Sequence, residues 1–165
     1  MMDISIKNIL WQQFGGTIDM LENALILCPN ELWDTPTLFW YNGYHTLFFL
    51  DYYLSENPES FLPPAPFTLS ELEPDQMPER TYSKAELLSY LAFCREKCRL
   101  LIAGLTTESA AKRFVNKSRD YSILEMLLYN MRHVQHHTAQ LNLLLRQAIN
   151  DAPNWVSRTK INLQG

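Results

Sequence analysis

Six of the nine prolines, Pro58, Pro63, Pro64, Pro66, Pro74 and Pro78, fall between Ser55 and Tyr82. Proline has no backbone N–H and its ring clashes with the preceding helical turn, so no helix crosses this stretch. On both sides of it apolar residues recur at three- and four-residue spacing, the period of helices with one buried face. A loop of this length inside a compact domain is unusual, and it reads as a crossover carrying the chain to a distant position in the fold.

Four helices are expected. The first runs roughly from Ser5 to Leu27, with Ile6, Leu10, Phe14, Leu21 and Leu25 on one stripe, and ends before Cys28-Pro29-Asn30. Asp34 or Thr35 then reads as an N-cap, with Pro36 at an early helical position. The second helix, about Thr37 to Leu54, is rich in aromatic residues; its length and its lack of period-2 alternation favour helix over strand. The third, Ser83 to Leu105, opens on Ser83-Lys84-Ala85-Glu86, a capping box, and Gly104 reads as its C-terminal signal. The fourth runs from about Ser122 to Ile149, and Pro153 lies beyond it. No stretch reads as a credible strand. The expected fold is all-α: a four-helix bundle with a long crossover between helices 2 and 3. It forms a single domain over residues 1–165 with a peripheral tail, 151–165, in which Trp155 either docks on the bundle or meets another chain.

Composition narrows the function. Lys and Arg total 14 against 18 Asp and Glu, a net charge of -4, so a general nucleic-acid footprint is not expected. No apolar run reaches membrane-spanning length, and no secretory leader is visible at the N-terminus. Three cysteines without framework spacing fit a reducing cytoplasm. Gly15-Gly16 is the only glycine pair, and no phosphate-cradling loop motif is present.

The four histidines carry the chemistry. His133, His136 and His137 lie close together on the fourth helix, and His45 stands alone on the second. Residues four apart share a helix face, so His133 and His137 project together as two ligands of one divalent ion would require. His136 also stands one turn from His133, and His136 and His137 point about 100° apart. Periodicity leaves the choice between them open, although Leu141, four residues after His137, mildly favours His137 as the inward residue. His45, among Trp40, Tyr41, Tyr44, Phe48 and Phe49, is expected to face an apolar interior, where an imidazole needs a partner. Three neutral imidazoles with one position left open would suit a catalytic metal. The zincin pattern H-E-x-x-H is excluded, because Val134 and Gln135 follow His133.

The stretch Tyr121 to Leu141 resembles the last helix of the DinB-like family. That family's signature is H-x-x-x-H followed by a small polar stretch and Gln-aliphatic, often H-R-G-Q-I. His137-Thr138-Ala139-Gln140-Leu141 is similar to it, with Thr-Ala in place of Arg-Gly. Trp40-x4-His45 followed by aromatic residues resembles the family's histidine on helix 2, and the order of elements fits over nearly the whole chain. The resemblance implies a divalent metal (zinc, nickel or iron) held by His45, His133 and His137, with His136 a bystander or an outer-shell residue. Asn130 and Gln140, one turn outside the histidine pair, are candidates to orient a ligand or a bound water. Trp40, Tyr41 and Tyr44 are candidate pocket walls. Asp19 and Glu22 are candidate acid/base carboxylates. Cys94 and Cys98, four apart on helix 3, read as buried small hydrophobes.

Proteins similar in architecture include bacillithiol S-transferases and mycothiol-dependent isomerases. The resemblance therefore implies a metal-dependent enzyme, a thiol (S-)transferase or metal-assisted hydrolase, acting on a small molecule with a low-molecular-weight thiol as cosubstrate. The alternative is a module, metal-binding without turnover or acting as a homodimer through its apolar faces.

Overall fold

A computed structural model describes residues 2–164. Four long helices make the bundle: α1 (Ile4–Leu27), α3 (Phe39–Tyr53), α4 (Lys84–Gly104) and α6 (Ile123–Ile149). Each buries most of the stripe that its periodicity marks out, although Ile6, expected on the α1 stripe, is exposed. On α1 this is Phe14, Ile18, Leu21 and Leu25; on α4 it is Leu87, Leu91, Cys94, Cys98 and Ile102. On α6 the buried stripe is Met126, Leu127, Asn130, Val134, Thr138, Leu141 and Leu145. Full burial of one such apolar side chain contributes about 1.5–3 kcal/mol before entropy is counted.

α1 packs against α4 and α6, and α3 packs against the same two, so α1 and α3 lie across a diagonal. The long crossover does not lead to a distant position: α4 packs directly beside α3. The two helices run parallel. The place of a Cβ on Gly43 lies against Leu87, the Cys94 thiol faces the Leu47 carbonyl, and Lys97 reaches Asp51. Parallel neighbours cannot be joined by a tight turn, so the chain must return along the full length of α3, about 22 Å. The proline-rich residues make that return, with short 3₁₀ turns at Pro58–Ser60 and Ser70–Leu72.

Three local expectations are corrected. Asp34 and Thr35 do not cap α3. An extra turn of helix, α2 (Asn30–Trp33), follows the break, and α3 begins after Leu38, which holds a left-handed conformation (φ 53°) and makes no side-chain cap. Asp34 instead accepts hydrogen bonds from Trp40 Nε1 (3.0 Å) and Thr81 Oγ1 (2.7 Å), tying the entry of α3 to the end of the crossover. Second, the connection before α6 holds a short helix, α5 (Thr107–Ala111), and a two-stranded hairpin, β1 (Arg113–Val115) and β2 (Asp120–Ser122), where no strand was expected. Buried Phe114 anchors the hairpin from below, and Asn116 Oδ1 accepts from the amides of Ser118 and Arg119 in its turn. Third, Trp155 does not dock the tail, since it is 70% exposed. The tail attaches further on: Thr159 N–H donates to Gln12 O, Trp11 Nε1 to Ile161 O, and Arg99 to Leu163 O. Gly15-Gly16 permits this approach, because a Cβ on Gly15 would stand 2.5 Å from Thr159 Cγ2. The capping box of α4 is present as expected, with both reciprocal bonds between Ser83 and Glu86. No helix among the described residues is long and apolar enough to cross a membrane.

Candidate metal centre

His45 comes from α3, and His133 and His137 from the facing α6, which runs antiparallel to it. Asn130 meets Leu50 at one end of this contact and Gln140 meets Asn42 at the other, with the histidines between. The His133–His137 ring centroids are 4.6 Å apart, His45–His137 4.7 Å and His45–His133 5.6 Å. One nitrogen from each ring lies within 4.8 Å of the others, close enough to share one ion. His136 is exposed on the flank and points out of this group. Thr138 and Leu141 occupy the buried stripe, and His133 and His137 lie on its edge, half-buried beside α3.

Two of the three rings are held from behind. His45 Nδ1 lies 2.6 Å from Glu71 Oε2, and the Glu71 side chain is only 3% exposed. His137 Nδ1 lies 2.9 Å from Gln140 Oε1. When Nδ1–H donates to these oxygens, the Nε2 lone pair of each ring is left for an ion, the outer-shell arrangement usual at metal-bound imidazoles. His133 Nδ1 is buried and has no hydrogen-bond partner among the described residues, a deficit that buried polar atoms rarely carry. Burial, followed by its imidazole neighbours and Arg119, pushes His133 down to about 3. Burial and the His45 charge also lower His137. Both are therefore neutral at pH 7, the state in which an imidazole donates a lone pair. The donor set thus fits a borderline divalent ion.

The other expected residues divide. Gln140 meets the centre: besides its bond to His137 it contacts His136 Nε2 at 3.2 Å, and the exposed His136 ring stands edge-on to that of His137 at 5.0 Å. Asn130 does not reach the centre. It is buried on the core stripe and donates to the Leu50 carbonyl at 2.9 Å, locking α6 to α3. Tyr41 lies one turn before His45, ring to ring at 6.4 Å, and burial and the Glu71 carboxylate push its hydroxyl up to about 12. Trp40 and Tyr44 are core residues on other faces of α3. Trp40 is held by Asp34, and the Tyr44 hydroxyl donates to Thr68 O at 3.1 Å. Asp19 and Glu22 are committed elsewhere, both paired with Arg95 on α4. Cys94 and Cys98 are fully buried, and burial pushes both thiols up, away from the thiolate a ligand would need. A surface cleft of about 820 Å³ between the end of α3, α4 and α5 contains none of the histidines.

Glu71 was not legible in the sequence. It is one of several acids in the proline-rich crossover, where no periodicity says which will turn inward. Replacing Glu71 with alanine is expected to weaken metal binding by about 10–100-fold, as loss of an outer-shell carboxylate generally does. Competition with a chromogenic chelator would measure it, and unchanged affinity would remove Glu71 from the centre.

A helical bundle that brings three imidazoles from two facing helices to one point, each ring neutral or backed by an oxygen, defines a class of histidine-centred bundle proteins. The sequence profile of the DinB superfamily matches residues 13–141, a span that takes in His45, His133 and His137, all of α3 and α4 and parts of α1 and α6, and the chain belongs to that superfamily. No curated protein and no solved structure gives a significant match.

Proposed function

We propose that this protein is a metal-dependent enzyme acting on a small molecule, either transferring a low-molecular-weight thiol to an electrophile or hydrolysing its substrate. The observation that supports it is the convergence of His45, His133 and His137 with Glu71 and Gln140 behind two of them. His45, His133 and His137 would hold a divalent ion (Zn²⁺, Ni²⁺ or Fe²⁺), which would supply Lewis-acid chemistry that acidifies a thiol or water. The residues of the chain prepare the imidazoles for it. Glu71 fixes the tautomer of His45, and Gln140 that of His137. Burial keeps His133 and His137 unprotonated. The Tyr41 hydroxyl, held protonated at physiological pH, serves beside the centre as a hydrogen-bond donor and not as a base. In the transfer, the new sulfur–carbon bond forms as the leaving group departs with its electron pair, and the thiol proton passes to solvent.

A cytoplasmic location belongs to the same proposal and is supported by three cysteines that are all free and buried. A second reading, a homodimeric module that binds metal without turnover, is favoured by the exposed Ile4, Ile6 and Ile9 near the start of α1. Protein loaded with zinc, nickel or iron, tested against thiols paired with electrophiles and against hydrolysable esters and amides, separates the two. Turnover that stops when the metal is chelated supports the enzyme. One bound ion per chain with no turnover across the series supports the module.

A further inference from the structure

Arg119 sits at the turn between β1 and β2, beside the histidine centre, and among the described residues no carboxylate pairs with it. Arg80, Arg95, Lys97, Arg99 and Arg113 each pair with an acid. Arg119 has only tyrosines. Its Nη2 donates to Tyr129 Oη at 2.8 Å, and its guanidinium carbon lies 4.9 Å from the Tyr129 ring centroid and 5.3 Å from that of Tyr53. Its backbone is fixed as well: the amide donates to Asn116 Oδ1, and its carbonyl accepts from the Asn116 N–H. A guanidinium carries five N–H donors in a planar fork, and one neutral phenol engages a single donor.

One of these tyrosines, Tyr53, reaches the centre, and Tyr129 packs against it at 5.3 Å. The Tyr53 ring stands 5.8 Å from the His133 ring and packs on Phe49, which lies 5.8 Å from His133 and 4.9 Å from His45. An aromatic wall of Phe49, Tyr53 and Tyr129 thus runs from the imidazoles to the half-buried fork of Arg119. With an ion held by the histidines, that ion and Arg119 would leave an excess of positive charge that the single carboxylate of Glu71 does not cancel. An anion between them would.

We propose that Arg119 is the substrate-anion receptor of this centre, so that the substrates are small organic anions: a carboxylate or similar oxyanion held in the guanidinium fork, a planar or apolar body against the half-buried Phe49 and Tyr129 rings with Tyr53 buried behind them, and the reacting group toward the histidines. The inference rests on the enzymatic reading above and narrows its substrate class. Charge-assisted, two-pronged pairing supplies the selectivity.

The test has two arms. In the first, the metal-free full-length protein is titrated with benzoate and with benzamide, its uncharged near-isostere, and followed by NMR. The wild-type protein is expected to prefer benzoate by about ten-fold or more. R119Q is expected to lose the preference, and R119K, which keeps the charge without the fork, to retain part of it. Thermal melts confirm that the variants are folded, and R119K carries the comparison if R119Q is not. Equal affinity for both probes in the wild-type protein, or an undiminished preference in R119Q, would overturn the proposal. In the second arm, cobalt-loaded protein is titrated with 3-mercaptopropionate and 3-mercaptopropanol, read from thiolate-to-cobalt absorption. The acid is expected to bind about ten-fold tighter in the wild-type protein and equally in R119Q, with cobalt content unchanged. An undiminished preference for the acid in R119Q overturns the proposal here too. Failure to take up cobalt, with the benzoate result intact, would sink the metal reading and leave the anion receptor standing.

Discussion

Alanine at His137 is expected to abolish stoichiometric metal binding, whereas alanine at His136, its neighbour in sequence, is expected to preserve it. The two side chains differ in direction and not in chemistry. His137 stands 4.7 Å from His45 and 4.6 Å from His133, ring to ring, while His136 is exposed. Removing an outer-shell group costs about 10–100-fold in affinity, and removing one of only three protein ligands costs more. The loss has a thermal signature. Metal that binds the folded chain at 1,000 times its dissociation constant stabilises it by about 4 kcal/mol. Excess Zn²⁺ or Ni²⁺ should therefore raise the melting temperature of the wild-type and His136→Ala proteins and leave that of His137→Ala unchanged. Elemental analysis should give near one ion per chain in the first two and none in the third. Equal loss in both variants would contradict the assignment, and metal-free wild-type protein without a thermal response would end it.

Asp51→Ala is expected to be the most damaging single change away from the centre. Asp51 is 1% exposed in the core between α3 and α4. One of its oxygens accepts from Tyr90 Oη at 2.9 Å, the other from the Lys97 ammonium, which also reaches the Asp51 carbonyl. Alanine would strand a buried phenol and a half-buried cation together. Breaking such a pair from one side costs about 3–5 kcal/mol, here toward the lower figure because Lys97 can turn partly to water. For a domain of this size that corresponds to a fall in melting temperature of about 6–12 °C. Asp51→Asn keeps an acceptor for Tyr90 and should lose less. Metal affinity should survive in both, since neither partner of Asp51 touches a histidine. Thermal melts decide: an Asp51→Ala protein within a degree or two of wild type would mean that the network contributes little.

Long-range periodicity made the bundle legible, and local chemistry did not supply the details. Leu87, Leu91, Cys94 and Cys98 mark the buried face of α4 because helix geometry alone relates them. The same logic placed His133 and His137 together. It could not place Asn130, because a residue one turn from a ligand along the chain can still fall on the core stripe, about 100° per residue away from the site. Nor could it predict the hairpin. Arg113–Val115 and Asp120–Ser122 are too short for alternation to show, and they pair because Phe114 has a core to enter. Trp40 and Tyr44 read as possible walls because every face of α3 is aromatic, and only tertiary packing separates the face with Tyr41 and His45 from the rest. Glu71 and Arg119 lie in irregular connections, where a side chain's direction is set by what the chain packs against.

The distribution of the three histidines over two helices has a consequence for how the protein would come to hold an ion. His133 and His137 are partners as soon as α6 is helical, which needs only local contacts and is fast on folding timescales. His45 lies far away along the chain and arrives only when α3 docks antiparallel on α6. Its bracket arrives later still, because Glu71 belongs to a crossover that is ordered by both α3 and α4. A nascent or loosened chain can therefore offer a weak two-imidazole grip, and the full set exists only in the closed bundle. An ion captured early would act as a clasp, drawing distant segments together and fastening the docking of α3 on α6. Starving the protein of metal would then loosen that docking, and the crossover with it, before it loosened the pairing of α1 with α4.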